Sequence, residues 1–262
     1  MNTGKTKILV LGGTTEGIKI TQAITNAKNF GQKVEIIYSL AGRTNNVPNV
    51  SAKIRVGGFS SENINGVDGL VKFLTEERIN LVIDATHPFA EQISINAMTA
   101  ANNANIPALR IERQTWQMPE RADVLYVPDM VEAASVVART ARRVLLTVGT
   151  KELGAFAGIA KVHFVIRMIE RPTTPDAMPQ LDDFEIITGR PPFNLADEES
   201  LMRDMDIDVL VSKASGGDAT FAKIQAAANV GARIILIRRP PPPDGDVVWG
   251  IEPALKWLEE KL

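Results

Sequence analysis

The chain has 262 residues, 45% of them hydrophobic, and a formal net charge of −2. That length suits two domains of about 130 residues, each able to bury a core, and the balanced charge gives no global attraction to nucleic acid or to an anionic membrane. There is no cysteine, and His87 and His163 are the only imidazoles. This excludes disulfides, thiolate catalysis and zinc sites built on Cys or several His; only a carboxylate magnesium site stays open, and no metal is assigned.

The N-terminal stretch "MNTGKTKILVLGG" is apolar only briefly before its glycines. It reads as neither a signal peptide nor a membrane span, so a cytoplasmic protein is expected. Apolar, β-branched runs then predict strands at Lys7–Leu11, Val34–Tyr38, Lys53–Val56, Leu81–Asp84, Ala108–Ile111 and Leu125–Val127, and again at Val144–Val148, His163–Ile166, Glu185–Thr188, Val209–Ser212, Ile234–Ile237 and Val247–Trp249. Helical patterns fall at Gly17–Asn29, Gly66–Glu77, Ala90–Asn103, Met130–Ala141, Glu198–Met205, Ala219–Asn229 and Pro253–Leu262. Short buried strands alternating with helices predict an α/β fold of right-handed βαβ units on parallel sheets. "ERPTTPDAMPQLDDF" and "RRPPPPDGD" are proline-rich loops. The second reads as a stiff connector into the last strand, with partner docking as its alternative.

The chain also echoes itself in order. "KILVLGGT" resembles "RVLLTVGT", "INLVIDATHPFA" resembles "IDVLVSKASGG", and "IPALRIERQ" resembles "ARIILIRRP". "VPDMVEAASVV" and "VVWGIEPALKWL" each put a strand end before a helix opening with an acidic residue. Two similar halves are expected, 1–139 and 140–262, with the join placed to within about ten residues. Whether the terminal helices stay with their own half or cross to the other is open.

In "GGTTEG", Gly12 and Gly17 match the ends of G-x-G-x-x-G, and Thr14 replaces the middle glycine. A strand-to-helix turn of this kind aims backbone N–H groups and a helix N-terminus at an anion. Gly12 and Gly13 supply the turn, Gly17 permits close packing, and Thr14 and Thr15 offer hydroxyls to a phosphate. Alone the motif is weak, since many α/β proteins turn on glycine without binding anything. The second strand adds to it. A site selective for NAD places a carboxylate at this strand's tip, but the tip here reads "YSLAGRT". Ser39, Gly42 and Arg43 suit the 2′-phosphate of NADPH, which a carboxylate would repel; the alternative is a solvated loop with an incidental arginine. Gly57 and Gly58 in "VGGF" give another close backbone approach. Thr86, His87 and Phe89, after the fourth strand, are expected beside the nicotinamide, His87 as a proton donor, a substrate ligand or a plain cap of its turn.

Together the motifs resemble the precorrin-6A reductase family of cobalamin biosynthesis. The likeness rests on "LGGTTEG", "YSLAGR", "VGGF", "VIDATHPFA", "LRIER", "LLTVGTKEL", "RMIERP" and "VLVSKASGGDAT", in that order over about the whole chain. It implies two Rossmann-like domains with an inter-domain cleft, the first binding NADPH (NADH as the alternative) and the second the substrate. It implies hydride transfer to C19 of the macrocycle, with protonation at C18, in the metal-free or the cobalt form. The family's cofactor positions fall on Gly13, Thr14, Glu16, Ser39, Arg43, Gly57 and Gly58, and its second-domain cleft positions on Lys213, Ser215, Gly216 and Gly217. Gly17 stands where the family pattern has alanine, Ala214 where asparagine is common, and "GTKEL" replaces "GRQEL".

Such chemistry needs no protein nucleophile. A macrocycle bearing acetates and propionates does need cations, and Arg110, Arg113, Arg167, Arg171, Arg190 and Lys213 all fall at predicted strand ends or loops. Each has an ion-pair or solvated-surface alternative. Of the catalytic candidates in "SKASGGDAT", Lys213 is to place charge or a proton at the substrate and Ser215 to bond cofactor or substrate, on a glycine-flanked loop before a helix near Asp218, itself a candidate N-cap. Lys151 and Glu152 are assigned to helix N-terminal packing rather than catalysis, with a substrate carboxylate meeting the turn as the alternative. Trp116 is either a stacking surface for the ring or a core anchor. Other readings stay open: a reductase of another small substrate, a non-catalytic NADP(H)-sensing module, or a transferase with paired Rossmann-like domains.

Overall fold

A computed structural model describes residues 5–29, 31–41, 48–172 and 180–262. In chain order its elements are β1 (Thr6–Leu11), α1 (Thr15–Asn26), β2 (Val34–Leu40), β3 (Lys53–Val56), α2 (Gly66–Glu76), β4 (Leu81–Asp84), α3 (Glu91–Asn103), β5 (Ala108–Glu112), β6 (Val124–Val127) and α4 (Met130–Thr140). There follow β7 (Arg143–Leu146), β8 (His163–Met168), β9 (Phe184–Thr188), α5 (Leu195–Asp204), β10 (Val209–Lys213), α6 (Ala222–Val230), β11 (Arg233–Ile237), β12 (Asp246–Trp249) and α7 (Ile251–Lys261). Every predicted strand and helix is present, with ends shifted by no more than three residues. Two 3-10 segments matter as well, Thr150–Phe156 and Asp218–Thr220. The second replaces the first turn of the helix expected from Ala219.

The chain divides into two compact units, Met1–Gln114 with Pro240–Leu262, and Thr115–Arg239. The first is a six-stranded parallel sheet in the order β3-β2-β1-β4-β5-β12. Strand β1 shows why it is covered on both faces. Ile8 and Val10 meet Ile20 and Ile24 of α1 on one side, while Leu9 and Leu11 meet Leu70 and Leu74 of α2 on the other. Both alternating sets are buried, so the strand is one apolar run. Burying Ile20 or Ile24, each at 0% exposure, contributes about 1.5–3 kcal/mol. Local signals start the helices. Asn65 accepts from the N–H groups of Val67 and Asp68 at α2, and Asp129 from that of Glu132 at α4.

The second unit repeats the plan in the order β9-β8-β7-β10-β11-β6. Both orders are the doubly wound 3-2-1-4-5-6 arrangement, but each sixth strand comes from the other half of the sequence. Strand β6 pairs with β11 and β12 pairs with β5. The expected join near Thr140 is therefore corrected. Residues 124–140 complete the second sheet, and the last strand and helix return to the first, where α7 packs on α1. The proline run Pro240–Pro243 lines a small crevice with Pro88, Glu91 and Ile95 of the first unit, as a connector into β12 does. Among the described residues no helix is long and apolar enough to cross a membrane.

Candidate active site

Open α/β sheets present ligands at their carboxyl edge, where the strand order reverses. In the first unit that point lies between β1 and β4. The Thr14 hydroxyl accepts from the Gly17 N–H at 3.1 Å and donates to the Ala85 carbonyl at 2.6 Å. It caps α1 and fastens the turn to the end of β4. In this structure its proton rests on backbone, so here the hydroxyl fastens the turn. Thr15, the first residue of α1, is exposed, as is Gly13. Gly13 has φ +96°, a backbone state that glycine alone adopts without strain. The opening N–H groups of a helix have no partner within it, so this end is built to face an anion.

The other two glycines answer to a residue that sequence reasoning missed. A Cβ on Gly12 would lie 2.1 Å from Cζ of Tyr38, and one on Gly17 2.8 Å from its hydroxyl oxygen. That oxygen accepts from the Gly13 N–H at 3.1 Å. Burial pushes the phenol up, the Gly13 hydrogen bond only partly opposing it, so Tyr38 stays neutral under the turn. The signal was available: Tyr38 pairs with Val10 in register, and strand alternation sets it on the α1 face with Ile36. Glu16 and Arg113, assigned separately to cofactor and substrate, come together, Arg113 Nη2 lying 2.7 Å from Glu16 Oε2.

At the β2 and β3 tips a second unanticipated residue organises the edge. Arg55 Nη1 donates to Ser39 Oγ at 3.2 Å and to the Gly57 carbonyl at 2.6 Å, and Nη2 to the Gly58 carbonyl at 2.6 Å. Its guanidinium stacks 3.9 Å from the Phe59 ring centre. Burial draws its pKa below the ordinary arginine value, though a guanidinium remains charged. Gly57, at φ +125°, has open space where a Cβ would stand. Gly42 and Arg43 lie outside the described residues.

Around the β4 and β5 ends, the expected roles of Arg110 and Thr86 are corrected. Arg110 is 1% exposed, not a surface cation. Its Nη1 lies 2.8 Å from Asp84 and its Nε 2.8 Å from Glu112, and Nη1 also donates to Thr86 Oγ1 and Ser94 Oγ. Thr86 in turn donates its hydroxyl to Asp84 at 2.7 Å, so Thr86 belongs to this interior network. His87 takes the capping role among its alternatives, Nδ1 accepting from the Phe89 N–H at 3.2 Å.

In the second unit the equivalent edge lies between β7 and β10. Lys213 Nζ meets Glu152 Oε1 at 2.6 Å, so Glu152 does more than pack a helix end. Ser215 and Gly216 are buried, and Gly216 and Gly217 both have positive φ. Trp116 Nε1 donates to the Gly217 carbonyl at 2.6 Å and its ring lies against Phe221, the anchoring alternative. Arg167 is corrected in the same way as Arg110: its guanidinium makes a buried pair with Glu198 at 2.8 Å and lies 4.4 Å from the Phe193 ring centre. Arg171 donates to the Ile186 carbonyl, and Arg190 pairs with Glu170 on the exposed surface. A third missed residue, Lys223, is 6% exposed and donates to Thr147 Oγ1 at 2.9 Å. Helical spacing puts it on one face with Ala226 and Ala227, a readable sign of a buried lysine.

Comparison with known proteins identifies the family. Residues 7–259 match the profile of precorrin-6x reductase CbiJ/CobK. The chain is 37% identical to a precorrin-6A reductase of Rhodococcus erythropolis over 97% of each chain. It is 29% identical to a cobalt-precorrin-6A reductase of Priestia megaterium over 89% of this chain and 90% of that one. A solved structure of CobK precorrin-6A reductase superposes with a TM-score of 0.87 at 33% identity, covering 98% of this chain and 97% of the other. With the family profile matched over residues 7–259 and a solved member superposing over nearly the full length, the chain belongs to the precorrin-6x reductase CbiJ/CobK family.

Proposed function

We propose that this chain reduces precorrin-6A in the cytoplasm with a reduced nicotinamide coenzyme, its first unit holding the coenzyme and its second the substrate. The observation that carries the reading is the open N-terminus of α1. It sits at the switch point of the first sheet, behind a glycine at φ +96° and held by the Thr14–Ala85 hydrogen bond. Gly12, Gly13, Thr15 and Glu16 would border the pyrophosphate there, with Gly57 and Gly58 farther along the edge. NADPH is favoured over NADH because the β2 tip carries a hydroxyl and cations, Ser39 with Arg55 bonded to it and Arg43 close in sequence, and no carboxylate.

When bound, the nicotinamide supplies the hydride, to C19 in the family reaction. The chain's own task is to orient both partners and supply a proton for C18. Lys213, Arg171 and Arg190 are the second unit's candidates for substrate carboxylates; Lys213 would exchange its Glu152 pairing for one with the ligand.

Anaerobic incubation with precorrin-6A and with its cobalt form, each with NADPH or NADH and followed by absorbance, tests the reading. Coenzyme oxidation with loss of one macrocycle double bond is expected; binding of NADPH without turnover on either ring would leave a sensor. Arg43→Ala should weaken NADPH by about 1.5–3 kcal/mol and NADH far less. Equal weakening of both would remove the 2′-phosphate assignment.

A further inference from the structure

Beneath the carboxyl edge of the second sheet lies an amine to which the reaction above gives no part. Lys223, in the first turn of α6, is 6% exposed, and its Nζ donates to Thr147 Oγ1 at 2.9 Å. Thr147 directly follows β7, is only partly buried, and donates its own hydroxyl to the Val211 carbonyl of β10 at 3.1 Å. That hydroxyl therefore joins an interior amine to the point between β7 and β10 where this sheet would meet a ligand. The charged groups bearing on Lys223 are Arg167 of β8 and Glu198 of α5, themselves paired at 2.8 Å. With Glu198 held by Arg167, burial and then the Arg167 charge draw the Lys223 ammonium down to about 7, Glu198 opposing only in part. An amine at that value gives up and regains a proton readily near neutral pH, whereas an ordinary lysine holds its proton.

We propose that Lys223 stores the proton that completes the reduction and passes it through the Thr147 hydroxyl to the substrate carbon that takes no hydride. This rests on the reductase reading. The carbon bonds to a proton from Thr147 Oγ1 using the electron pair released when hydride adds across the double bond. The same oxygen takes a proton from Lys223 Nζ, and the neutral amine recovers one from water. For this step the Thr147 hydroxyl turns from the Val211 carbonyl to the substrate. Thr147 is thus the catalytic group and Lys223 a positioning residue that acts through it.

The test compares the wild type with Lys223→Met, Thr147→Val and Thr147→Ser in anaerobic single turnovers with precorrin-6A and NADPH. The wild-type rate should fall with pH above neutrality, approaching about tenfold per unit once protonation limits it. Lys223→Met and Thr147→Val should be slower by about a hundredfold or more and lose that pH dependence, while NADPH affinity holds and Thr147→Ser keeps most of the rate. In both slow variants the solvent deuterium effect should grow and the effect of deuterating the coenzyme should vanish, because protonation has become limiting. Independently of turnover, NMR of lysine-labelled enzyme should show one amine titrating at about 7 that is lost in Lys223→Met. Should that variant fail to fold, Thr147→Val, which keeps the lysine, decides. An active wild type alongside a Thr147→Val enzyme with unchanged rate, pH profile and isotope effects overturns the proposal alone. So does an NMR titration in which every lysine stays in the ordinary range. A wild type that leaves precorrin-6A unreduced overturns the reductase reading and this proposal together.

Discussion

The two units share one strand order yet differ at their equivalent turns. After β1, glycines let α1 begin at once, with its N-terminus open and Thr14 bound back to Ala85. After β7, Val148 stands opposite Gly12, and the chain enters a 3-10 stretch from Thr150 to Phe156. Glu152 folds back over Gly149, its Oε2 only 2.3 Å from where a Cβ would be, and its other oxygen holds Lys213. Each turn thus carries a carboxylate at the matching position, Glu16 held by Arg113 and Glu152 by Lys213; what differs is the backbone, an α-helix N-terminus in the first and a 3-10 turn in the second. Topology provides a place for a ligand; the backbone of the turn sets what would meet it, opening helix N–H groups in one unit and a 3-10 turn beside Lys213 in the other.

The contrast extends to buried charge. The first unit sets one guanidinium against two carboxylates, Asp84 and Glu112, and the second sets one against Glu198 alone. Arg110→Met should be the most damaging substitution. It leaves Asp84, at 0% exposure, without its cation, at a cost of about 3–5 kcal/mol. Urea unfolding should show the first unit melting ahead of the second. A midpoint near the wild-type value would mean the carboxylates are neutral or reach other partners.

Lys223 gives the second unit a pH signature near neutrality. Its native value of about 7 lies below the 10.5 of an unperturbed lysine. Between those values the unfolded chain holds a proton that the native one has released, so this group makes stability rise with pH over that window. Its contribution is lowest below about 7, where the native state must carry the buried charge. Denaturation midpoints at pH 6.5 and 9.5 should therefore differ more for the wild type than for Lys223→Met; equal differences would place Lys223 in the ordinary range.

Much of this was legible. Strands such as Val209–Ser212 are apolar on both faces, and caps such as Asn65 and Asp129 sit directly before their helices, so pattern and local chemistry agree. The ordered echoes exposed the duplication. The reciprocal exchange was not legible, because nothing in "VPDMVEAASVV" says which sheet edge it will extend; that depends on pairing Val124 with Ile234, over a hundred residues on. Pairing between strands also hid Arg110. In "LRIER" two arginines each sit beside an acid, and only the fold reveals that Arg110 meets Asp84 inside while Arg113 meets Glu16 at the helix mouth. The α1 turn was read as a nucleotide motif, but two of its glycines make room for Tyr38.

That last point gives a matched pair of tests. Gly12→Ala would drive a methyl to 2.1 Å from a ring that is 0% exposed and fixed in the sheet. The strain should cost about 1–3 kcal/mol, read as a fall in melting temperature, and displacing the turn should weaken NADPH as well. Gly149→Ala puts a methyl equally near a neighbour, at 2.3 Å, but that neighbour is the carboxylate end of a Glu152 side chain 30% exposed. The backbone at Gly149 is extended, φ −75° and ψ 159°, so alanine is unstrained and Glu152 can swing aside. Stability should change by less than about 1 kcal/mol, the smallest effect here. The consequence falls instead on Lys213, whose ion pair with Glu152 is broken. If the Glu152–Lys213 pair competes with a substrate carboxylate, Gly149→Ala should lower KM for the macrocycle while leaving coenzyme affinity alone. If the pair instead holds Lys213 in place for the ligand, KM should rise, and its direction decides between a competitor and a brace.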